Sequence, residues 1–96
     1  MNITTTVNGK DFIVNLDGRL DTATAPKLEE FIAENIFKMD TLVLDCAGLE
    51  YISSAGLRVL LSAQKRLKND MKLKNVCELV MEVFEMTGFA DILVIE

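Results

Sequence analysis

The sequence predicts an α/β fold, a single mixed β-sheet covered by helices. Short apolar or alternating segments alternate with helical patterns in the order ββαβαβαβ, and strand–helix–strand crossovers require parallel, right-handed connections. The first two strands are joined directly through Asn8-Gly9, a strong hairpin signal, so the sheet also has an antiparallel member. The chain has 96 residues, of which 50% are hydrophobic, which is enough for one core and predicts a single domain over residues 1–96.

The predicted hairpin pairs Ile3–Val7 with Phe12–Leu16. The first segment is rich in Thr and alternates, and the second places Phe12, Val14 and Leu16 on one face. Asn8-Gly9 predicts a type I′ turn, which needs a positive φ at both of its central residues.

A helix is predicted after the segment Gly18-Arg19-Leu20-Asp21. Thr22 and Thr24 are candidate N-caps, and Pro26 suits the first turn. The pattern places the apolar side chains on one face and ends near Phe37.

The central stretch of the chain predicts a strand followed closely by a helix. Leu42–Leu44 is a continuous apolar run, typical of a strand buried on both faces, and Asp45 ends the run. A helical pattern of leucines begins near Ser54. The segment Ser53–Gly56 therefore lies where a chain leaves a strand and enters a helix, which is where open α/β sheets form their sites.

The C-terminal part predicts strand, helix and strand. The strands are Met71–Asn75 and Asp91–Ile95, and the helix is Glu78–Thr87, ended by Gly88 in the left-handed conformation. Within this helix we expect four side chains to point inward, those of Leu79, Val80, Val83 and Phe84.

Charge and composition exclude several classes of function. The net charge is −5 and the pI is about 4.7, which argues against binding to nucleic acid or to an anionic membrane. No apolar run approaches the roughly 20 residues that span a bilayer, and the N-terminus has no pattern of a signal peptide, so we predict a cytoplasmic protein. Cys46 and Cys77 form no CxxC pattern and are expected to be reduced thiols.

The candidate chemistry centres on two hydroxyls. Ser54-x-Gly56 is half of a nucleophile elbow, but the preceding glycine is missing and the chain contains no His to act as a base. Asp17, Asp21 and Asp45 could cluster at a sheet edge, but without a second type of ligand they make only a weak metal site, and no cofactor is predicted. Two interpretations of the hydroxyls stay open on these residues: an N-cap, or a substrate for a kinase.

Three segments in order resemble the STAS domain of anti-sigma factor antagonists. The central segment has Asp45, Gly48, Tyr51-Ile52, Ser53-Ser54 and Gly56-Leu57. Gly18-Arg19-Leu20-Asp21 is similar to the segment before the family's first long helix, and Val83–Phe89 is similar to its closing helix. The resemblance runs from about Ile3 to Ile95 and implies the STAS fold.

The resemblance also implies a function and a site. In that family the Ser of this segment is phosphorylated by an anti-sigma factor that is a serine kinase of the GHKL type, and a PP2C-type phosphatase resets the switch. Alignment through Gly56-Leu57 puts the acceptor at Ser54, with Ser53 as the alternate. The family's partner-facing surface implies a partner-binding set of Asp21, Thr22, Ser53, Ser54, Ala55, Gly56 and Leu57.

The expected protein is therefore a switch and not an enzyme, with ATP bound by its partner. The alternative is a STAS adaptor that docks a transport or signalling partner without phosphorylation. Gly56 is costly inside a helix start, so we also expect that a partner's backbone passes close to it, and that Gly56→Ala leaves the fold intact.

Overall fold

The computed structural model describes all residues from Met1 to Glu96. Four strands form the sheet: β1 (Asn2–Asn8), β2 (Asp11–Leu20), β3 (Thr41–Ile52) and β4 (Met71–Lys74). Three α-helices follow β2, β3 and β4 in turn: α1 (Ala25–Asn35), α2 (Ser54–Leu67) and α3 (Glu78–Thr87). Three short 3₁₀ turns occupy Ile36–Lys38, Lys68–Asp70 and Phe89–Asp91. No helix is both long enough and apolar enough to cross a membrane.

The strands lie in the sheet in the order of the chain, β1-β2-β3-β4. β1 is antiparallel to β2, whereas β2, β3 and β4 are mutually parallel. The predicted mixed sheet is confirmed. Helices α1 and α2 connect β2 to β3 and β3 to β4, so these three strands run in the same direction. Their carboxyl ends therefore lie at the same edge of the sheet.

The helices cover one face of this sheet. Side chains of β2, β3 and β4 alternate between buried and exposed, and the buried ones join those of all three helices in a single core of 23 residues. The expectation that Leu42–Leu44 is buried on both faces is wrong: Leu42 and Leu44 are fully buried, but Val43 lies on the open face and is half-buried. A sheet with one open face needs alternation in its strands and does not need a continuous apolar run.

β3 is longer than predicted, because Asp45 does not end it. Its carboxylate lies on the open face, where it accepts hydrogen bonds from the N–H of Ala47 at 3.1 Å and from Asn75 Nδ2 at 3.0 Å. The pairing steps from Asn15–Asp45 to Asp17–Gly48, so β3 carries one extra residue there. Such a bulge bends the strand while the pairing continues beyond it.

The predicted hairpin is confirmed, but its turn is not of type I′. The strands pair through Asn8–Asp11, so the central residues of the turn are Gly9 and Lys10. Gly9 has φ +67°, while neither Asn8 nor Lys10 has a positive φ. A positive φ at the first central residue alone is the pattern of a type II′ turn.

The last predicted strand, Asp91–Ile95, is wrong. Its first residue belongs to the 3₁₀ turn Phe89–Asp91, and only a single parallel bridge joins Leu73 to Ile95. The buried side chain of Gln64 holds this tail, because its amide oxygen accepts from the N–H of Val94 at 3.5 Å. Gly88 ends α3 with φ +81°, as predicted, but Leu79 is 56% exposed and does not point into the core.

Candidate functional site

Two strand-to-helix connections lie side by side at the carboxyl edge of the sheet. Leu20 pairs with Ile52 at the ends of β2 and β3, and the N–H of Ser53 donates to the carbonyl of Leu20 at 2.9 Å. The first connection then leads into α1 and the second into α2. This pairing brings Asp21, Thr22 and the Ser53–Leu57 segment to one edge, although they are far apart in the sequence.

Asp21 organises the first connection. One of its carboxylate oxygens, Oδ1, accepts from the N–H of Ala23 at 3.0 Å and from the N–H of Thr24 at 3.1 Å. The hydroxyl of Thr24 donates to the carbonyl of Arg19 at 2.7 Å and accepts from the N–H of Asp21 at 2.9 Å. Thr24 occupies the N-cap position of α1, but its side chain closes the preceding loop and makes no cap bond, so its predicted capping role is wrong.

The charge of Asp21 is stabilised in place. Partial desolvation acts to raise the pKa of its carboxyl, but the N–H groups of Thr24 and Ala23, the Thr24 hydroxyl and the Arg19 guanidinium together hold that pKa below its ordinary value. Arg19 Nε lies 3.9 Å from Asp21 Oδ2, and the guanidinium stacks over the Tyr51 ring at 4.1 Å from its centroid.

This contact between Arg19 and Tyr51 was not predicted, although the sequence holds a signal for it. Arg19 stands two residues before Asp21, and Tyr51 stands two residues before Ser53. Because the two strands end in register, these positions pair across β2 and β3 on the open face. The contact could be predicted only once the two strands are known to be neighbours.

Ser53 and Ser54 have different positions in the second connection. Ser53 is the N-cap of α2, with extended backbone angles (φ −102°, ψ 176°), and its Oγ accepts a long hydrogen bond of 3.5 Å from the N–H of Gly56. Ser54 is the first residue of the helix, is exposed, and its hydroxyl makes no hydrogen bond to the rest of the chain. The N-cap interpretation thus fits Ser53, while the Ser54 hydroxyl is accessible to another molecule.

The remaining residues of the predicted partner-binding set differ in exposure. Thr22 is exposed and Ala55 is half-buried, but Gly56 and Leu57 are buried. A Cβ on Gly56 would lie 2.8 Å from Cγ of Leu20 and 2.9 Å from Cγ1 of Ile52, so the glycine permits close packing of α2 on the ends of β2 and β3. The chain's own core therefore accounts for the glycine, and the approach of a partner's backbone to Gly56 stays a prediction.

The three aspartates that could have formed a metal site do not converge. The carboxylate of Asp21 accepts hydrogen bonds within its own loop, and that of Asp45 accepts one from Asn75. Asp17 packs against Gly48, so closely that a Cβ on Gly48 would lie 2.6 Å from Asp17 Oδ1. No three His, Cys, Asp or Glu side chains come together as potential metal ligands. A hydrogen bond from Asn75 is the main cause that lowers the pKa of the Asp45 carboxyl.

The two thiols and the main cavity lie away from Ser54. Burial, assisted by the charge of Asp45, raises the pKa of the Cys46 thiol to about 12, which disfavours the reactive thiolate. Cys77 Sγ lies 3.5 Å from the carbonyl of Leu49, and neither cysteine is in a disulfide. A cavity of about 680 Å³ opens on the helix-free face and is lined in part by Asn15, Asp17 and Asp45, but none of the predicted partner-binding residues lines it.

Comparison with known proteins gives a consistent result. The family model described as the STAS domain matches residues 2–96. BtrV of Bordetella bronchiseptica is 43% identical over 84 residues, which are 83% of this chain and 72% of BtrV. The anti-sigma-B factor antagonist of Bacillus subtilis is 30% identical over 96 residues, covering 97% of this chain and 88% of that protein. The crystal structure of an anti-sigma factor antagonist from Mycobacterium paratuberculosis superposes with a TM-score of 0.86 at 21% identity, covering 98% of this chain and 83% of that one.

Proposed function

This chain belongs to the STAS domain family of anti-sigma factor antagonists, and we propose that it is a partner switch controlled by phosphorylation of Ser54. Without phosphate, it binds an anti-sigma factor that is also a serine kinase of the GHKL type, and the sigma factor is released. With phosphate on Ser54, it dissociates from that kinase. A PP2C-type phosphatase restores the first state, and the chain itself is not an enzyme.

The observation that carries this proposal is the position of Ser54. Ser54 is exposed and is the first residue of α2, at the edge where the Asp21 loop also lies. Its hydroxyl makes no hydrogen bond within the chain. In the proposed reaction the kinase transfers the γ-phosphoryl group of ATP to Ser54 Oγ. The hydroxyl loses its proton and ADP leaves, so the nucleotide is bound by the partner.

The phosphate is expected to act at the interface and not on the fold. A phosphoserine carries about −1.5 to −2 charges. At a helix N-terminus it meets free N–H groups and the positive end of the helix dipole, which favours an exposed anion by about 0.3–1 kcal/mol. A partner that closes over this charge must desolvate it beside the carboxylate of Asp21, and an unpaired buried charge costs several kcal/mol. Because this cost at the interface exceeds the gain within the helix, phosphorylation should release the partner and leave the domain folded.

The first test asks which hydroxyl reacts. The chain is incubated with ATP and a GHKL-type anti-sigma kinase that binds it, and phosphopeptides are mapped in the wild type, Ser53→Ala and Ser54→Ala. We expect phosphate on Ser54 in the first two proteins and none in Ser54→Ala. Phosphate found mainly on Ser53 would refute the assignment.

The second test measures the switch on one phosphorylated sample. Titration with the kinase should show affinity at least about a hundredfold lower than for the unmodified protein, equivalent to about 3 kcal/mol. Ser54→Ala should bind whether or not ATP is present, and Ser54→Asp should bind poorly. The melting temperature of the phosphorylated sample should stay level or rise slightly. A large fall in melting temperature would mean that phosphate acts by disrupting the fold.

A further inference from the structure

The exposed surface of α2 has cations but no anion. Its sequence, SAGLRVLLSAQKRL, contains three basic residues and no Asp or Glu, in a protein whose net charge is −5. The cations of the structure's ion pairs are Arg19, Lys72 and Lys74. Arg58 is exposed and has no anionic partner, although acidic residues outnumber basic ones in the chain.

Arg58 stands four residues after Ser54 on the same helix. Residues at this spacing are neighbours on a helix surface, with Cβ atoms about 5–6 Å apart. Each Cα–Cβ bond of a helix tilts toward the N-terminus, so helix geometry directs a side chain at position 58 back toward the turn that contains Ser54. An anion that precedes its cation by four residues is also the more favourable order of such a pair.

We propose that Arg58 is the internal counter-ion of phosphorylated Ser54. This inference rests on the proposed function only in taking Ser54 as the residue that carries the phosphate. The guanidinium presents a planar set of donors that can bind two phosphate oxygens at once, a geometry that a Lys cannot reproduce. The phosphate of this pair supplies the negative charge that the first turn of α2 lacks. Phosphorylation therefore tightens α2 and takes the free charge of Arg58 out of reach of a partner.

The other charged groups at this edge are less suited to the role. Arg19 is held by Asp21 at 3.9 Å and by the ring of Tyr51 at 4.1 Å, and Lys74 is paired with Glu96 at 3.8 Å. The charged residues at the strand ends and in the first helical turns that meet here are Arg19, Asp21, Lys27, Glu50, Lys74 and Glu78. Lys27 is exposed and, like Arg58, is in none of the ion pairs, but it belongs to α1 and not to the helix that carries Ser54. The carboxylates among them would repel a phosphate, so any attraction beyond that of the helix N-terminus itself must come from a free cation.

The test uses protein in which phosphoserine is introduced at position 54 during translation, so that no kinase is needed. ³¹P NMR then follows the second ionisation of the phosphate, whose midpoint lies near pH 6 in an unperturbed phosphoserine. The midpoint is compared among three proteins that all carry phosphoserine at position 54: one with no further change, one with Arg58→Gln and one with Arg58→Lys. Arg66→Gln is the matched control, because Arg66 is an exposed arginine of the same helix, two turns farther on. Arg19→Gln and Lys27→Gln test the two competing cations.

We expect Arg58→Gln to raise the midpoint by about 0.2–0.4 pH unit, the equivalent of one i,i+4 ion pair, and Arg58→Lys to raise it by less. Arg66→Gln should leave the midpoint unchanged within error. The difference in midpoint between the protein with Arg58 and the Arg58→Gln variant should shrink in high salt. An unchanged midpoint in Arg58→Gln, an equal rise in Arg66→Gln, or a larger rise in Arg19→Gln or Lys27→Gln would each overturn the proposal.

This outcome is separable from that of the proposed function. The NMR experiment contains no partner, so it succeeds or fails whatever kinase or phosphatase acts on the chain. Conversely, partner release on phosphorylation can occur in Arg58→Gln if interface repulsion alone suffices. A midpoint that depends on Arg58, together with a partner that binds both forms equally, would support the ion pair and refute the switch.

Discussion

The two connections at the carboxyl edge of the sheet leave neighbouring strands in the same direction, yet they satisfy their polar groups differently. In the β2–α1 connection, Asp21 and Thr24 exchange hydrogen bonds with each other and with the backbone of the loop. In the β3–α2 connection, Ser53 makes one long cap bond and the Ser54 hydroxyl makes none. The first loop is closed by its own side chains, whereas the second keeps a hydroxyl available. A modification site needs the second arrangement, and a rigid neighbour like the first can hold it in place.

The largest effect is expected from Gly56→Ala. The added methyl group would overlap Leu20 and Ile52, at 2.8 and 2.9 Å, and so disturb the contact between the two connections. Overpacking of this kind costs about 1–3 kcal/mol, and the better helix propensity of Ala recovers up to about 1 kcal/mol of it. We expect a net loss of stability in urea unfolding. Ser54→Ala, at the exposed position two residues earlier, is the control and should stay within about 0.5 kcal/mol of wild type. A stable Gly56→Ala would show that α2 can shift without harm.

A smaller effect is expected from Asp21→Asn, which weakens the closed loop alone. The pKa of Asp21 is lowered from its ordinary value of 3.8, so its carboxylate stabilises the fold above that pH. This contribution is lost as the pH falls from about 4 through the folded-state pKa. Asp21→Asn should therefore melt lower than wild type near neutral pH, and the difference should vanish at the acidic end of the range.

The measurement for Asp21→Asn is a series of melting curves from neutral to acid pH. Asp45→Asn is the matched comparison, since a hydrogen bond from Asn75 is the main reason that the pKa of Asp45 is also lowered. In each variant the melting temperature should fall less steeply on acidification than in the wild type, because one carboxylate with a lowered pKa is gone. If Asp21→Asn follows the wild-type pH curve throughout, the hydrogen bonds of the first loop do not contribute to stability.

The smallest effect is expected from Ser53→Ala, which removes the one cap bond of the β3–α2 connection. Its cap bond of 3.5 Å is long for an N–H···O contact, so the loss should be about 0.5 kcal/mol, the low end of the range for N-caps. The same variant should still be phosphorylated at Ser54. Urea unfolding gives the stability, and a loss above about 2 kcal/mol would mean that Ser53 holds the connection as firmly as Asp21 holds the other one.

Much of the fold could be predicted because its signals are local. The β1–β2 hairpin follows from alternation and a glycine turn, and the three helices follow from apolar periodicity and their end residues. The errors lie where local signals are weak. Asp91–Ile95 is apolar enough for a strand, but the chain around it makes a 3₁₀ turn, and one bridge to Leu73 is the only ladder contact. The turn at Gly9 moved by one residue because the pairing of Asn8 with Asp11 decides its centre.

Neighbouring residues are enough to place Ser53 and Ser54 at a helix start, because the apolar strand before them and the leucine pattern after them are local signals. The same local patterns gave the order of the four strands and three helices up to α3, but they added a strand at Asp91–Ile95 that does not form. Packing between distant segments is what places Gly56 against Leu20, stacks Arg19 on Tyr51 and leaves one face of β3 open. The first two features are contacts between segments distant in the chain, and the open face of β3 is a surface that no helix covers. Such contacts depend on which strands become neighbours and in what register, and no local pattern fixes that.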